Sequence, residues 1–86
     1  MWHLVYTTQA KKDSKKLSSS DLKNKAQELF EILKHNPYQN PPPFEKLVGD
    51  LSGAYSRRLN IQHRLVYDIH NKEKTVKIIS MRSHYS

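Results

Sequence analysis

The chain reads as a small α+β domain, an antiparallel sheet of four or five strands with two N-terminal helices packed on one face. Three observations predict it. One stretch, residues 21–35, carries an apolar stripe at helical spacing; prolines at 37 and 41–43 then forbid helix; and three β-rich runs separated by short turns fill most of the C-terminal half. No internal repeat or low-complexity segment appears, and the proline connector is too short to separate a pair of cores, so residues 1–86 form a single domain.

Taken in order, "WHLVYTT" alternates and is rich in β-formers, which predicts a first strand over residues 2–7. The lysine-rich stretch from 9 to 17 has little apolar content and reads as a short helix. In "SSSDL", one of Ser18, Ser19 and Ser20 can cap a second helix while Asp21 complements its dipole. Leu22, Ala26, Leu29, Phe30 and Leu33 then recur at offsets of four, seven, eight and eleven, one face of a helix that ends near His35 or Asn36. Pro37 and Pro41, Pro42 and Pro43 hold the connector extended. Gly49 and Gly53 serve a turn, and "AYSRRLNI", "HRLVYDIH" and "TVKIISMRSHY" are strands joined by turns at 60–63 and 71–74. Close spacing of this kind implies antiparallel pairing.

Alternation predicts how these strands use their faces. If the leucines of the first two runs face the helices, Arg58 and Arg64 lie together on the open face. An odd-numbered turn over 61–63, setting Leu59 opposite Leu65, delivers that arrangement. On the last strand Ile79, Met81 and Tyr85 share one parity, and Ile78, Ser80, Arg82 and His84 the other. Charges on an open sheet face are commonly no more than solvated, and neighbouring guanidiniums are also how a phosphate is held.

Composition narrows the partners. Lysine and arginine number 15 against 8 acidic residues, a formal charge of +7, which calls for a polyanion. No apolar run approaches the roughly 20 residues of a membrane span, and residues 2–6 are too short for a signal peptide's apolar core, so a cytoplasmic protein is expected and no membrane partner. The chain has no cysteine, which rules out disulfides, thiolate metal sites and cysteine nucleophiles. Its five histidines show no convincing metal-ligand spacing, and His3, His35, His63 and His70 read as incidental; no metal or other cofactor is expected.

The run "EKLVGDLSGAYSRRLNIQHRLVYDI", followed by a terminal "RSHY", resembles the YoeB/Txe group of bacterial toxins in the RelE superfamily, ribosome-dependent mRNA endoribonucleases. The similarity extends over nearly the whole chain and is densest from Phe44 onward. It implies a RelE-like fold, a type II toxin–antitoxin system, mRNA on the ribosome as substrate, a cognate YefM-like antitoxin and, as in relatives, a homodimer. By the same resemblance Glu45 is the general base, His84 the general acid, Arg64 the residue that steadies the phosphate, and Tyr85 a substrate-positioning residue. Arg58 contacts phosphate, with Lys46, Tyr55 and Arg57 as further substrate-binding candidates. The chain departs from the family pattern at Val48, where relatives often carry lysine, and at Ala54 and Ser83, where they carry aromatics. That lysine's contact is either absent or taken over by Lys46. Tyr55 and Tyr67 also read simply as strand tyrosines packing their rings on the sheet. A binding module that kept the fold and lost cleavage is the alternative class; a DNA-binding regulator is disfavoured because the second helix commits its apolar stripe to the core.

Those residue types suit RNA cleavage. The RNA's own 2′-hydroxyl is the nucleophile, so the protein needs a base beside it, a cation at the phosphate and an acid at the leaving 5′-oxygen. Neither a protein nucleophile nor a metal is required.

Overall fold

The computed structural model describes residues 1–17, 22–48 and 53–83, without the side chains of Arg82 and Ser83. The element order is β1 (His3–Tyr6), α1 (Thr8–Leu17), α2 (Leu22–His35), β2 (Phe44–Lys46), β3 (Tyr55–Arg58), β4 (His63–His70) and β5 (Thr75–Ser83). These form one five-stranded sheet in the order β1-β5-β4-β3-β2. The expected α+β class and both helices are present. The fifth strand is the short β2, which comes directly after the prolines.

Pairing is antiparallel from β2 to β5, but β1 runs parallel to β5, with His3 opposite Thr75 and Tyr6 opposite Ile78. The antiparallel pairing expected from turn spacing holds for the four strands β2 to β5, with β1 the parallel exception. Short turns enforce antiparallel pairing only where they connect neighbours; β1 is separated from the other strands by two helices, and such a crossover permits parallel pairing.

The core lies between the helices and one sheet face. Ala26, Leu29 and Leu33 of α2 are buried, and Leu22 and Phe30 pack partly against the same cluster. Ala10 and Leu17 join from α1, and Leu65, Tyr67, Val76, Ile78 and Met81 from the sheet. The predicted capping residues Ser18, Ser19, Ser20 and Asp21, and Gly49, lie outside the described residues. Gly53 has φ +96°, a left-handed conformation suited to glycine.

Two register findings refine the sequence reading. Arg58 stands opposite Arg64 and Arg57 opposite Leu65, so the turn is odd-numbered as expected but the pairing is shifted by two residues; Leu59 meets His63 rather than Leu65. Asn60 fixes this turn by accepting on Oδ1 from the amides of Gln62 at 2.8 Å and His63. On β5, strict alternation fails: Val66 pairs with Ser80 but Tyr67 with Ile78, leaving Ile79 as a bulge. The bulge brings Ile78 and Met81, of opposite parity in sequence, into the same core.

α1 secures the bulged segment. Thr7 Oγ1 accepts from the Ala10 amide at 3.0 Å, capping α1, and donates to the Ile79 carbonyl at 2.7 Å. Asp13 is 2% exposed; it accepts from the Met81 amide at 2.9 Å and from Gln9 Nε2 at 2.8 Å. Beyond the end of β1, the helix thus takes over the hydrogen bonding of the β5 edge.

Candidate active site

Alternation along β2, β3 and β4 brings Glu45, Ser56, Arg58 and Arg64 to the face opposite the helices. With Pro43 and Phe44 they line a cleft of about 280 Å³. Glu45 is positioned by its place on the edge strand, cross-strand from Ser56; Arg58 and Arg64 are directly opposed on β3 and β4. Like charges so placed repel, and the nearest compensation is one carboxylate: Glu45 Oε2 lies 3.5 Å from Arg64 Nη1. That distance exceeds a well-formed charge-assisted hydrogen bond, and the Glu45 side chain is 68% exposed. The pair is therefore weak and both groups are free to turn toward a ligand.

The cleft combines a carboxylate able to accept a proton with two guanidiniums able to hold an anion. Of the eight predicted site residues, the structure unites Glu45, Arg58 and Arg64 there. His84 and Tyr85 lie outside the described residues.

Arg57 is corrected from substrate contact to structural anchor. It is 1% exposed and sits on the core face of β3. Nε donates to the Tyr67 hydroxyl at 2.8 Å, Nη1 to the Pro42 carbonyl at 2.7 Å, and Nη2 to the carbonyls of Pro37 at 3.0 Å and Gln39 at 2.9 Å. Its guanidinium also lies 4.8 Å from the centre of the Phe44 ring. A proline-rich connector offers many carbonyls and few amides, and a buried arginine is the side chain whose several donors can collect them. Since the connector leads straight into β2, Arg57 fixes the strand that presents Glu45. Burial pushes the Tyr67 phenol above its ordinary pKa, while the neighbouring Arg57 charge and hydrogen bond pull the other way.

Tyr55 and Lys46 also lie outside the cleft. Tyr55 shares the Arg57 face, its ring stacked 5.9 Å from Tyr67 and edge-on to Tyr38 and Phe44, so packing occupies it. Lys46 stands cross-strand from Tyr55, on the face of β2 opposite Glu45. Alternation along a strand separates neighbours, and a lysine beside Glu45 in sequence cannot share its face. Sequence reading missed Pro43, Phe44 and Ser56 as cleft walls; the signal for Ser56 was its parity with Arg58.

Among the described residues no three histidine, aspartate or glutamate side chains form a metal-binding group, and no helix is long and apolar enough to cross a membrane.

Residues 5–85 match the family model for the YoeB-like toxin of bacterial type II toxin–antitoxin systems. A YoeB toxin of Streptomyces coelicolor is 31% identical over 84 residues, covering 95% of this chain and 98% of that protein. One from Synechocystis is 40% identical over 57 residues, a match that spans 66% of this chain and 64% of the relative. Among solved structures, a YoeB/ParE toxin from Agrobacterium tumefaciens superimposes with a TM-score of 0.86 at 29% identity, covering 96% of this chain and 99% of that one. The heterotetrameric YoeB–YefM toxin–antitoxin complex from Staphylococcus aureus gives 0.82 at 33% identity, with 99% of each chain covered.

Proposed function

Because the chain belongs to the YoeB-like family of type II toxins, we propose that it is an endoribonuclease cutting mRNA in the ribosomal A site. The observation that carries this reading is the meeting of Glu45, Arg58 and Arg64 in one cleft on the helix-free face of a basic domain. Glu45 takes the proton of a 2′-hydroxyl, whose oxygen attacks the adjacent phosphorus. Arg64, with Arg58 beside it, steadies the negative charge that grows on the phosphoryl oxygens. His84 gives a proton to the departing 5′-oxygen, and Tyr85 helps seat the substrate. The products are a 2′,3′-cyclic phosphate and a 5′-hydroxyl. Every group this chemistry needs is supplied by the chain or by the RNA, so the reaction runs without a metal.

A cognate antitoxin of the YefM kind holds the toxin inactive, an acidic segment covering the arginines of the cleft. A homodimer is the second assembly proposed, by analogy with the YoeB dimer of Staphylococcus aureus. The test is a primer-extension assay with purified protein, ribosomes and message. Discrete cuts are expected that vanish in a Glu45→Gln, His84→Gln double variant of unchanged melting temperature. No cuts under any codon programming would leave a binding module of the same fold.

A further inference from the structure

Ser56 is 2% exposed, lines the cleft between Glu45 and the two arginines, and among the described residues its Oγ has no hydrogen-bond partner. Buried hydroxyls are rarely left so, because losing water without gaining a partner costs free energy. Moving the hydroxyl to the opposite face would require a one-residue slip of β3, which the Arg57 anchor on the core side forbids. The strand therefore holds a rigid, unsatisfied donor at the floor of a site whose walls are cationic. Those walls are adjustable: Arg58 is exposed, and among the described residues Arg64 is tied only by its 3.5 Å contact with Glu45.

We infer that Ser56 is a substrate-binding residue, its hydroxyl donating a hydrogen bond to a non-bridging phosphate oxygen of the RNA when Arg58 and Arg64 close on that group. The assignment rests on the cleft being the phosphate site of the proposed ribonuclease. A neutral donor here has a use that a third cation lacks: it adds a directional bond without adding to the Arg58–Arg64 repulsion. Serine suits the position because its side chain is short enough to stand beneath two guanidiniums.

The experiment is calorimetric titration of the full chain with adenosine 3′-phosphate, and with adenosine as the control lacking phosphate, alongside thermal unfolding. In Ser56→Ala the nucleotide binds about tenfold more weakly, as expected for one lost hydrogen bond to a charged group. Adenosine binding does not change, and the melting temperature stays level or rises because an unsatisfied polar group has gone. Unchanged nucleotide affinity in Ser56→Ala, with affinity lost in Arg64→Ala, overturns the inference and leaves the cleft as the phosphate site. A lowered melting temperature in Ser56→Ala with unchanged affinity also overturns it, since the hydroxyl then serves the fold. Binding indifferent to Arg58→Ala, Arg64→Ala and Ser56→Ala alike removes the phosphate site itself, and the inference with it.

Discussion

Two adjacent arginines on one short strand have opposite fates. Arg58 reaches the open face and meets Arg64, whereas Arg57 turns into the core and binds the connector's carbonyls. Sequence alone shows the pair "RR" and its alternation; it does not show which arginine faces the cleft, because the deciding acceptors, the carbonyls of Pro37, Gln39 and Pro42, carry no side-chain signature. The two sites separate experimentally. Arg57→Met should lower folding stability by about 3–5 kcal/mol in urea titration, since buried carbonyls and the Tyr67 hydroxyl lose their donor. Glu45→Gln should leave that titration unchanged, because the side chain is exposed, and reduce cleavage by about 10²-fold or more in the ribosome assay. Tyr67 adds a pH signature. Its folded-state pKa is raised above the ordinary value near 10, so its contribution to stability is complete below about pH 10 and declines as pH rises toward the folded value, where the unfolded chain ionises first. Tyr67→Phe should remove that alkaline slope in denaturant midpoints measured from about pH 9 upward.

At the scale of elements, the second helix and the three C-terminal strands were legible because each carries a period: the stripe from Leu22 to Leu33, and the alternation on either side of the turns; the first helix was read from composition alone. The parallel pairing of β1 and the bulge at Ile79 were not legible. Both depend on tertiary hydrogen bonds, Thr7 Oγ1 to the Ile79 carbonyl and Asp13 to the Met81 amide, between groups far apart in sequence. Asp13 lies in a stretch that reads as a lysine-rich surface helix, and nothing local marks it as buried. Asp13→Ala should cost about 1–3 kcal/mol in urea titration and speed hydrogen exchange at the Met81 amide, the signature of an edge that has lost its acceptor.

For the whole molecule, a charge of +7 and a sheet face free of helices agree on a polyanionic partner, which the proposed function takes to be RNA. Two phosphate contacts, through Arg58 and Arg64, should weaken RNA binding by roughly tenfold between about 50 and 200 mM salt, a slope readable by fluorescence anisotropy. The open-face site was legible as far as parity reaches: Arg58 and Arg64 came from it, and Glu45 from family resemblance; the face of Lys46 could not be assigned before the pairing of β2 with β3 was known, and Tyr55 has the parity of Arg57 rather than of Arg58. The central claim is that the RNA cuts itself under the direction of this cleft. Its most direct test is a message with a single 2′-deoxynucleotide at the mapped cleavage site, presented on ribosomes to the unmodified protein. Cutting is expected to stop there while binding persists; continued cutting at that position would show that another nucleophile attacks the phosphate.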